Sequence, residues 1–205
     1  PVPGFHRRRL TFFLMLFGLP FLVIGGALFC YSLLLYPQAA GVTDGGNALV
    51  TTAFAFAIRA GILESLGDDF GLSKAQLGYF NLLVLGIGFP IATVLGGMLY
   101  NNLGPKKMMM LALIAHLAGI LMTIGATGYA MLLVSSFLIG FGNGMVEAAC
   151  NPLIAGMYNK NKTTMLNKFH VWFPGGIFLG ALISQFMTGA GLGWQLQIAV
   201  MLIPC

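Results

Sequence analysis

Long apolar runs dominate this chain of 205 residues and restrict what it can fold into. Most of them match the roughly 20 residues that an α-helix needs to cross the hydrocarbon core of a bilayer. Backbone amide and carbonyl groups inside lipid must bond within their own segment, so the runs predict helices rather than strands. The runs occupy residues 10–36, 48–67, 76–100, 107–126, 130–158, 164–187 and 192–205, the last one incomplete.

Charged residues are scarce in this sequence. They make up 7% of the chain, while 58% of its residues are hydrophobic; soluble domains carry about 25% charged residues. Ten Lys and Arg outnumber five Asp and Glu, but they lie between the apolar runs as topology signals and do not form a nucleic-acid-binding patch. The three cysteines are far apart and no histidines cluster, which predicts neither disulfide nor metal nor other cofactor. An integral, multi-pass membrane protein is therefore expected, with the lipid bilayer as its surroundings.

Basic residues in two connections predict the orientation of the spans. The connections at 101–107 and 159–164 are two spans apart and therefore lie on the same face. Positively charged connections remain cytoplasmic, so this face is expected to be the cytoplasmic one. The lysines concerned are Lys106, Lys107, Lys160, Lys162 and Lys168.

The N-terminal region disagrees with this orientation. If residues 10–36 form a full span, the arginines at 7–9 lie on the outer face. Because two separate connections agree with each other, we interpret residues 1–47 as a basic segment, an extra hydrophobic helix and a linker. The helix is an added segment, an uncleaved signal-like anchor, or a result of where the chain begins. Residues 48–205 form the main membrane unit.

Two charged side chains, Arg59 and Glu147, fall deep inside apolar runs. A charge at the bilayer centre costs about 2.5–3.5 kcal/mol on insertion scales, so each is expected to face the bundle interior with a partner. Each lies about 16 Å from the cytoplasmic end of its run, which suggests that they pair. The pair either is purely structural or lines a transport cavity. His116 also lies mid-run, and a hydrogen bond between helices is favoured there over a proton relay.

A polar and aromatic cluster follows the second basic connection. Asn167 and His170 are spaced i, i+3 on one helix face, and Phe173 follows beside a Pro-Gly-Gly break. Polar groups beside an aromatic ring suit a sugar-like ligand, which has polar edges and apolar faces. The alternative is an aromatic anchor at the membrane interface with a basic collar.

Glycines recur at short spacings inside the runs. Small residues allow helix backbones to approach closely in lipid, so these glycines predict packing faces. Examples are Gly140, Gly142, Gly144, Gly176 and Gly180.

The stretch "GGMLYNNLGPKK", 96–107, resembles the loop signature of the major facilitator superfamily, roughly G-x-L-x-D-x-x-G-R/K-R/K. Asn101 stands where an Asp is usual, and Pro105 interrupts the basic run, so the resemblance does not carry over the family's gating salt bridge. The resemblance implies a gating loop here. Its residues are Gly97, Asn101, Gly104, Lys106 and Lys107.

Together with "GFGNGMVEAACNP" and "LNKFHVWFPGG", the chain resembles the fucose, glucose and galactose permease branch of that superfamily, the sugar:proton symporters. In that branch a glutamate followed by Asn-Pro serves sugar recognition or proton coupling, and Glu147 and Asn151 match these positions. Asn167 and His170 match polar positions that contact sugar. The proton-transferring aspartate of fucose permease falls on Ala60, beside Arg59. The arginine is therefore expected to hold Glu147 ionised.

The resemblance implies an all-α membrane protein in which residues 48–205 form the six-helix N-terminal half of the superfamily fold. Two inverted three-helix repeats are expected, with the last helix truncated and the C-terminal half missing. The implied function is that of a fragment of a secondary active transporter that moves a monosaccharide or related polar solute by proton symport with alternating access. Its partners are the solute and protons, and its location is the bacterial inner membrane. The alternative to a fragment is a half that pairs with another subunit.

Three other functions compete with this interpretation. A carrier of the same superfamily for a nucleoside, an organic anion or a drug is the main alternative, and Arg59 favours an anion. An intramembrane enzyme needs a nucleophile and a base within reach, and the only serine near a candidate site, Ser184, lacks a Gly-x-Ser-x motif. No catalytic residues are therefore expected. A membrane scaffold that transports nothing is the last alternative.

Overall fold

Helices account for all regular secondary structure between residues 40 and 202, the part of the backbone that this computed structural model describes; side chains are described for residues 48–202. The predicted all-α class is thereby confirmed for this part. The predicted hydrophobic helix at 10–36 lies outside the described residues. The elements are α1 (Ala40–Phe70), α2 (Lys74–Leu82), a π-helix (Leu83–Gly88), α3 (Phe89–Ile124), α4 (Tyr129–Met157), α5 (Lys162–His170), α6 (Trp172–Gly189), α7 (Trp194–Ala199) and a 3₁₀ helix (Val200–Leu202).

Four helical segments of the described part are long and apolar enough to cross a membrane. One of them, Lys74–Ile124, has 51 residues, which is more than twice the length that one crossing requires. Gly104 divides it, because its φ of 72° and ψ of 161° are not helical. The described chain therefore contains five spans, and the short helix α7 follows the fifth.

The predicted connection at 101–107 is much shorter in the structure. Helix continues on both sides of Gly104, so the turn depends on this single residue with a left-handed φ. Glycine adopts that conformation without steric cost, and Pro105 suits the first position of the helix that follows. The sequence pattern overestimated the length of the loop because polar residues such as Asn101 and Asn102 also extend helices beyond the hydrocarbon.

The expected linker before the first core span is also partly wrong. The structure places α1 from Ala40 onward, so helix occupies the last part of the segment 1–47, where the linker was expected. The glycines and the aspartate in this stretch have low helix propensity, but propensity is a weak preference. Extending an existing helix requires no new nucleation, which favours continuation through these residues.

Prolines mark the irregular points within the spans. The π-helix ends at Gly88, just before Pro90, and α5 and α6 are separated at Val171, three residues before Pro174. Proline removes one helical hydrogen bond and clashes with the carbonyl four residues earlier, so the distortion falls in the preceding turn. Pro152 lies within α4, which remains helical.

Glycines allow the helices to pack closely, as predicted. A Cβ added at Gly140 of α4 would lie 2.7 Å from the Cα of Val84 in the π-helix. Gly176 and Gly180 of α6 face alanines of α1 in the same way. Helix α4 therefore lies against α3 and the π-helix, and α6 lies against α1. These contacts enclose two apolar clusters, one around Ile58, Phe80 and Trp194 and the other around Met145, Cys150 and Phe169.

We expect Gly140→Ala to destabilise the protein by about 1–3 kcal/mol, the usual cost of overpacking, because the added methyl group meets rigid backbone. Gly156→Ala is the matched control on the same helix, since a Cβ there has nothing within 4 Å. Thermal unfolding of the detergent-solubilised protein measures both. An unchanged melting temperature for Gly140→Ala would contradict the close packing of α4 on the π-helix.

Candidate functional site

An open cleft of about 420 Å³ lies between the helices near Glu147. Its volume is in the range of small-molecule binding sites, about 300–1,000 Å³. Four of the six lining side chains are Phe or Leu, His170 supplies an imidazole and Glu147 supplies the carboxylate. The lining residues are Phe56, Leu85, Phe89, Glu147, His170 and Phe173.

The Glu147 carboxylate is half-buried in the wall formed by α4. Asn151 lies one helical turn further along and donates from Nδ2 to Glu147 Oε2 at 2.8 Å. Residues four apart lie above one another on a helix face, which is why this contact forms within α4. The other amide atom, Asn151 Oδ1, is buried and has no hydrogen-bond partner among the described residues. Glu147 is thus held by one donor and otherwise faces the cleft.

Aromatic rings form the opposite part of the cleft. Phe56 of α1 and Phe173 of α6 meet edge to face, with ring centroids 5.6 Å apart and an interplanar angle of 67°. His170, at the end of α5, packs against Phe169 with centroids 5.0 Å apart. The cleft therefore combines ring faces, an imidazole and a carboxylate, which can bind a solute with both apolar faces and hydroxyl groups.

The structure brings together three of the residues predicted for the site: Glu147, His170 and Phe173 all line the cleft. Asn151 reaches it through its hydrogen bond to Glu147. Asn167 does not line it and is exposed, one turn earlier on α5.

Sequence reasoning missed the residues that α1, the π-helix and α3 contribute, Phe56, Leu85 and Phe89. Within a continuous apolar run nothing in the sequence distinguishes a side chain facing a cleft from one facing lipid. Only Phe89 has a signal that could have identified it, because it lies between a glycine and a proline in the stretch "GFP", 88–90.

The predicted pairing of Arg59 with Glu147 is wrong. Arg59 is buried and donates from Nη2 to Ser136 Oγ at 2.8 Å, and its guanidinium lies 4.0 Å from the centroid of the Phe80 ring. Ser136 precedes Glu147 by eleven residues on α4, which is about 16 Å along the helix. The depth estimate failed because α1 extends to Ala40, which places Arg59 further from the cytoplasmic end than a span beginning at 48 implied.

His116 bonds between helices, as expected. Its Nε2 lies 2.6 Å from Oδ1 of Asn143, which joins α3 to α4. Gly142 allows this approach, because a Cβ there would lie 2.8 Å from Nδ1 of the His116 ring. The hydrogen bond ties the helix that carries Glu147 to its neighbour.

The predicted gating residues lie around the turn at Gly104. Gly97, Asn101, Lys106 and Lys107 are all exposed. Among the described residues no carboxylate forms an ion pair with either lysine, and no group of His, Cys, Asp and Glu could hold a metal ion. A gating role for this turn stays a prediction.

Comparison with known proteins places the chain among membrane transporters. The model of the Major Facilitator Superfamily matches residues 46–205. The human "Solute carrier family 2, facilitated glucose transporter member 10" is 25% identical over 148 residues, which are 71% of this chain and 27% of that protein. The "Galactose-proton symporter" of Escherichia coli K12 is 26% identical over 149 residues, 72% of this chain and 32% of that protein.

A mouse protein, "Sodium-dependent glucose transporter 1A", is 22% identical over 144 residues, 69% of this chain and 33% of that protein. The chain thus spans about a third of the length of the curated relatives it matches. The family match covers far more than half of the chain and agrees with the five spans, the glycine packing and the turn at Gly104. The chain therefore belongs to the major facilitator superfamily, as an integral, multi-pass membrane protein.

Proposed function

We propose that this chain is part of a secondary active transporter that moves a monosaccharide or related polar solute across the membrane by proton symport. The observation that carries the proposal is the carboxylate of Glu147 on the wall of a cleft that also presents aromatic rings. A carboxylate inside a membrane bundle is costly, and such residues mark substrate or proton pathways. Membership in a superfamily of transporters also agrees with the expectation that the chain is not an enzyme.

The roles of the site residues follow from their positions. We assign two roles to Glu147: it exchanges a proton, and it forms a hydrogen bond with the solute. Asn151 orients the Glu147 carboxylate. His170 offers a second polar contact, and Phe173 with Phe56 covers the apolar faces of a sugar ring. The relatives named for glucose and galactose support this class of solute, and the one named a galactose-proton symporter supports protons as the coupling ion.

Alternating access needs a second unit that closes the cleft from the other side. We propose that residues 48–205 are the six-helix N-terminal half and that a C-terminal half completes the site at their interface. Residues 1–47 are assigned to an additional N-terminal segment. The bacterial inner membrane, which maintains a proton gradient, is the proposed location.

A carrier for an organic anion is less well supported. The feature that favoured it was Arg59, which is bound to Ser136 and Phe80 and does not line the cleft.

We expect Glu147→Gln to abolish accumulation of a labelled hexose against its gradient. With an imposed gradient of one pH unit, symport with one proton supports up to about tenfold accumulation, because one unit corresponds to about 1.4 kcal/mol. The variant cannot carry the proton, so its accumulation ratio falls to about one, while exchange of hexose at equal concentrations continues. Uptake into proteoliposomes that contain the complete transporter, with both halves, measures both.

The matched control for this measurement is Glu64→Gln, since Glu64 is an exposed carboxylate near the C-terminal end of α1. It is expected to keep the accumulation ratio of the unaltered protein. Undiminished accumulation in Glu147→Gln would remove the assigned coupling role.

Hexoses are expected to raise the melting temperature of the purified protein, and simple carboxylates are not. A ligand at 100 times its Kd stabilises by about 2.7 kcal/mol. Phe173→Ala is expected to weaken this protection by about 1 kcal/mol, a several-fold loss of affinity, because a ring face is lost. Phe178→Ala is the control on α6, since Phe178 is 53% exposed and outside the cleft. Protection by carboxylates alone would favour the anion carrier.

A further inference from the structure

Only one of the two polar atoms of the Asn151 side-chain amide forms a hydrogen bond with the described residues. Its Nδ2 donates to Glu147 Oε2 at 2.8 Å, whereas its Oδ1 is buried without a partner among the described residues. An acceptor that is buried without a partner has lost its hydrogen bonds to water and gained none in return, which is unfavourable. In this orientation the Asn151 amide donates to Glu147 and accepts nothing. The orientation therefore suits the ionised state of the Glu147 carboxylate.

The two protonation states of Glu147 differ in what they offer to a hydrogen-bond partner. An ionised carboxylate only accepts hydrogen bonds, and a protonated carboxyl group also donates one through its O–H. With a proton on Oε2, the present arrangement would place a donor against the donor Nδ2. Rotation of the Asn151 amide by a half turn exchanges Nδ2 and Oδ1 without changing the volume of the side chain. The unused acceptor then receives the new proton.

Proline at position 152 removes the helical donor of one backbone carbonyl in α4. Pro152 follows Asn151 and has no N–H, so the carbonyl of Ala148 lacks its usual partner four residues later in α4. Ala148 precedes Asn151 by three residues, a spacing at which a side chain can bond to backbone. The Asn-Pro sequence therefore leaves an acceptor for Nδ2 when Oδ1 turns toward Glu147.

We propose that Asn151 is a positioning residue whose amide rotates with the protonation state of Glu147, donating to the carboxylate and accepting from the carboxylic acid. This inference rests on the proposed function, in which Glu147 exchanges a proton with the aqueous cleft. Asn151 itself neither gains nor loses a proton. The rotation keeps Glu147 in one position in both states, so that the carboxyl group continues to face the solute.

Within residues 48–202, few other titratable groups face this pair. His170 of α5 shares the cleft, and Cys150 of α4 precedes Asn151, with its thiol 3.8 Å from the sulfur of Met109. His116 of α3 is bound to Asn143, and Arg59 of α1 is bound to Ser136. The remaining elements present apolar side chains to the cleft, namely Phe56, Leu85, Phe89 and Phe173.

Infrared difference spectroscopy of the purified protein, acid minus alkaline, tests the rotation directly. Protonation of Glu147 adds a carboxylic acid band, identified by its loss in Glu147→Gln. The Asn151 amide carbonyl is expected to shift at the same time to lower wavenumber, because Oδ1 changes from unpaired to hydrogen-bonded. Incorporation of ¹³C-labelled asparagine identifies amide bands, and Asn151→Leu removes this one. Asn159→Leu, an exposed asparagine in the turn after α4, is the control that must leave it unchanged.

The outcomes separate the two proposals. A carboxylic acid band of Glu147 without any shift of the Asn151 carbonyl overturns the rotation and leaves the proposed function standing. The absence of any Glu147 band between the two pH values overturns both. Signals from His170 and Cys150 persist in Glu147→Gln and are thereby distinguished. If Asn151→Leu does not fold, Asn151→Thr, which keeps a hydroxyl group but has no amide carbonyl, identifies the same band.

Discussion

The cost of placing a carboxylate among membrane helices governs the rest of this structure. Glu147 lies eleven residues from the end of its apolar run, at a depth where a charge needs water or a partner. The structure provides both a donor on the same helix, Asn151, and an open cleft. The elements that form this cleft, including the π-helix and the break before α6, therefore help to stabilise the carboxylate inside the bundle.

Helix α4 carries most of the specific contacts of the bundle on different faces. Gly140 admits the backbone of Val84, Ser136 receives the guanidinium of Arg59, and Asn143 bonds to His116. These contacts hold α4 against three neighbouring elements. The packing of the turns of α4 that precede Glu147 therefore sets the position of this side chain. Arg59 is consequently a structural cation, stabilised by a hydroxyl group and by the face of an aromatic ring.

The sequence predicted well those features that depend on local composition. The helical class follows from apolar run length, and glycine spacing predicted close contacts that the structure confirms at Gly140 and Gly176. Glu147, His170 and Phe173 stood out because polar groups, or an aromatic beside a proline, are conspicuous in such runs. Phe56 and Leu85 did not, since the direction of an apolar side chain depends on how helices rotate against one another.

The predictions that failed depended on helix ends. Pairing Arg59 with Glu147 required both depths to be correct, and a helix that begins at Ala40 shifted one of them. The loop around Gly104 shrank to one residue for a related reason, because polar residues continue a helix past the hydrocarbon boundary. Helix boundaries are set by the surrounding structure as much as by propensity, so they are the least predictable part of a membrane sequence.

Accessibility of position 147 to water tests the central claim most directly. In a protein whose native cysteines Cys30, Cys150 and Cys205 are replaced, Glu147→Cys is treated with a charged, membrane-impermeant thiol reagent on each side of the membrane. We predict labelling that a hexose slows, with none at Val134→Cys, whose side chain is half exposed on the outside of the bundle. Failure of Glu147→Cys to react from either side would contradict a water-filled cleft at this carboxylate.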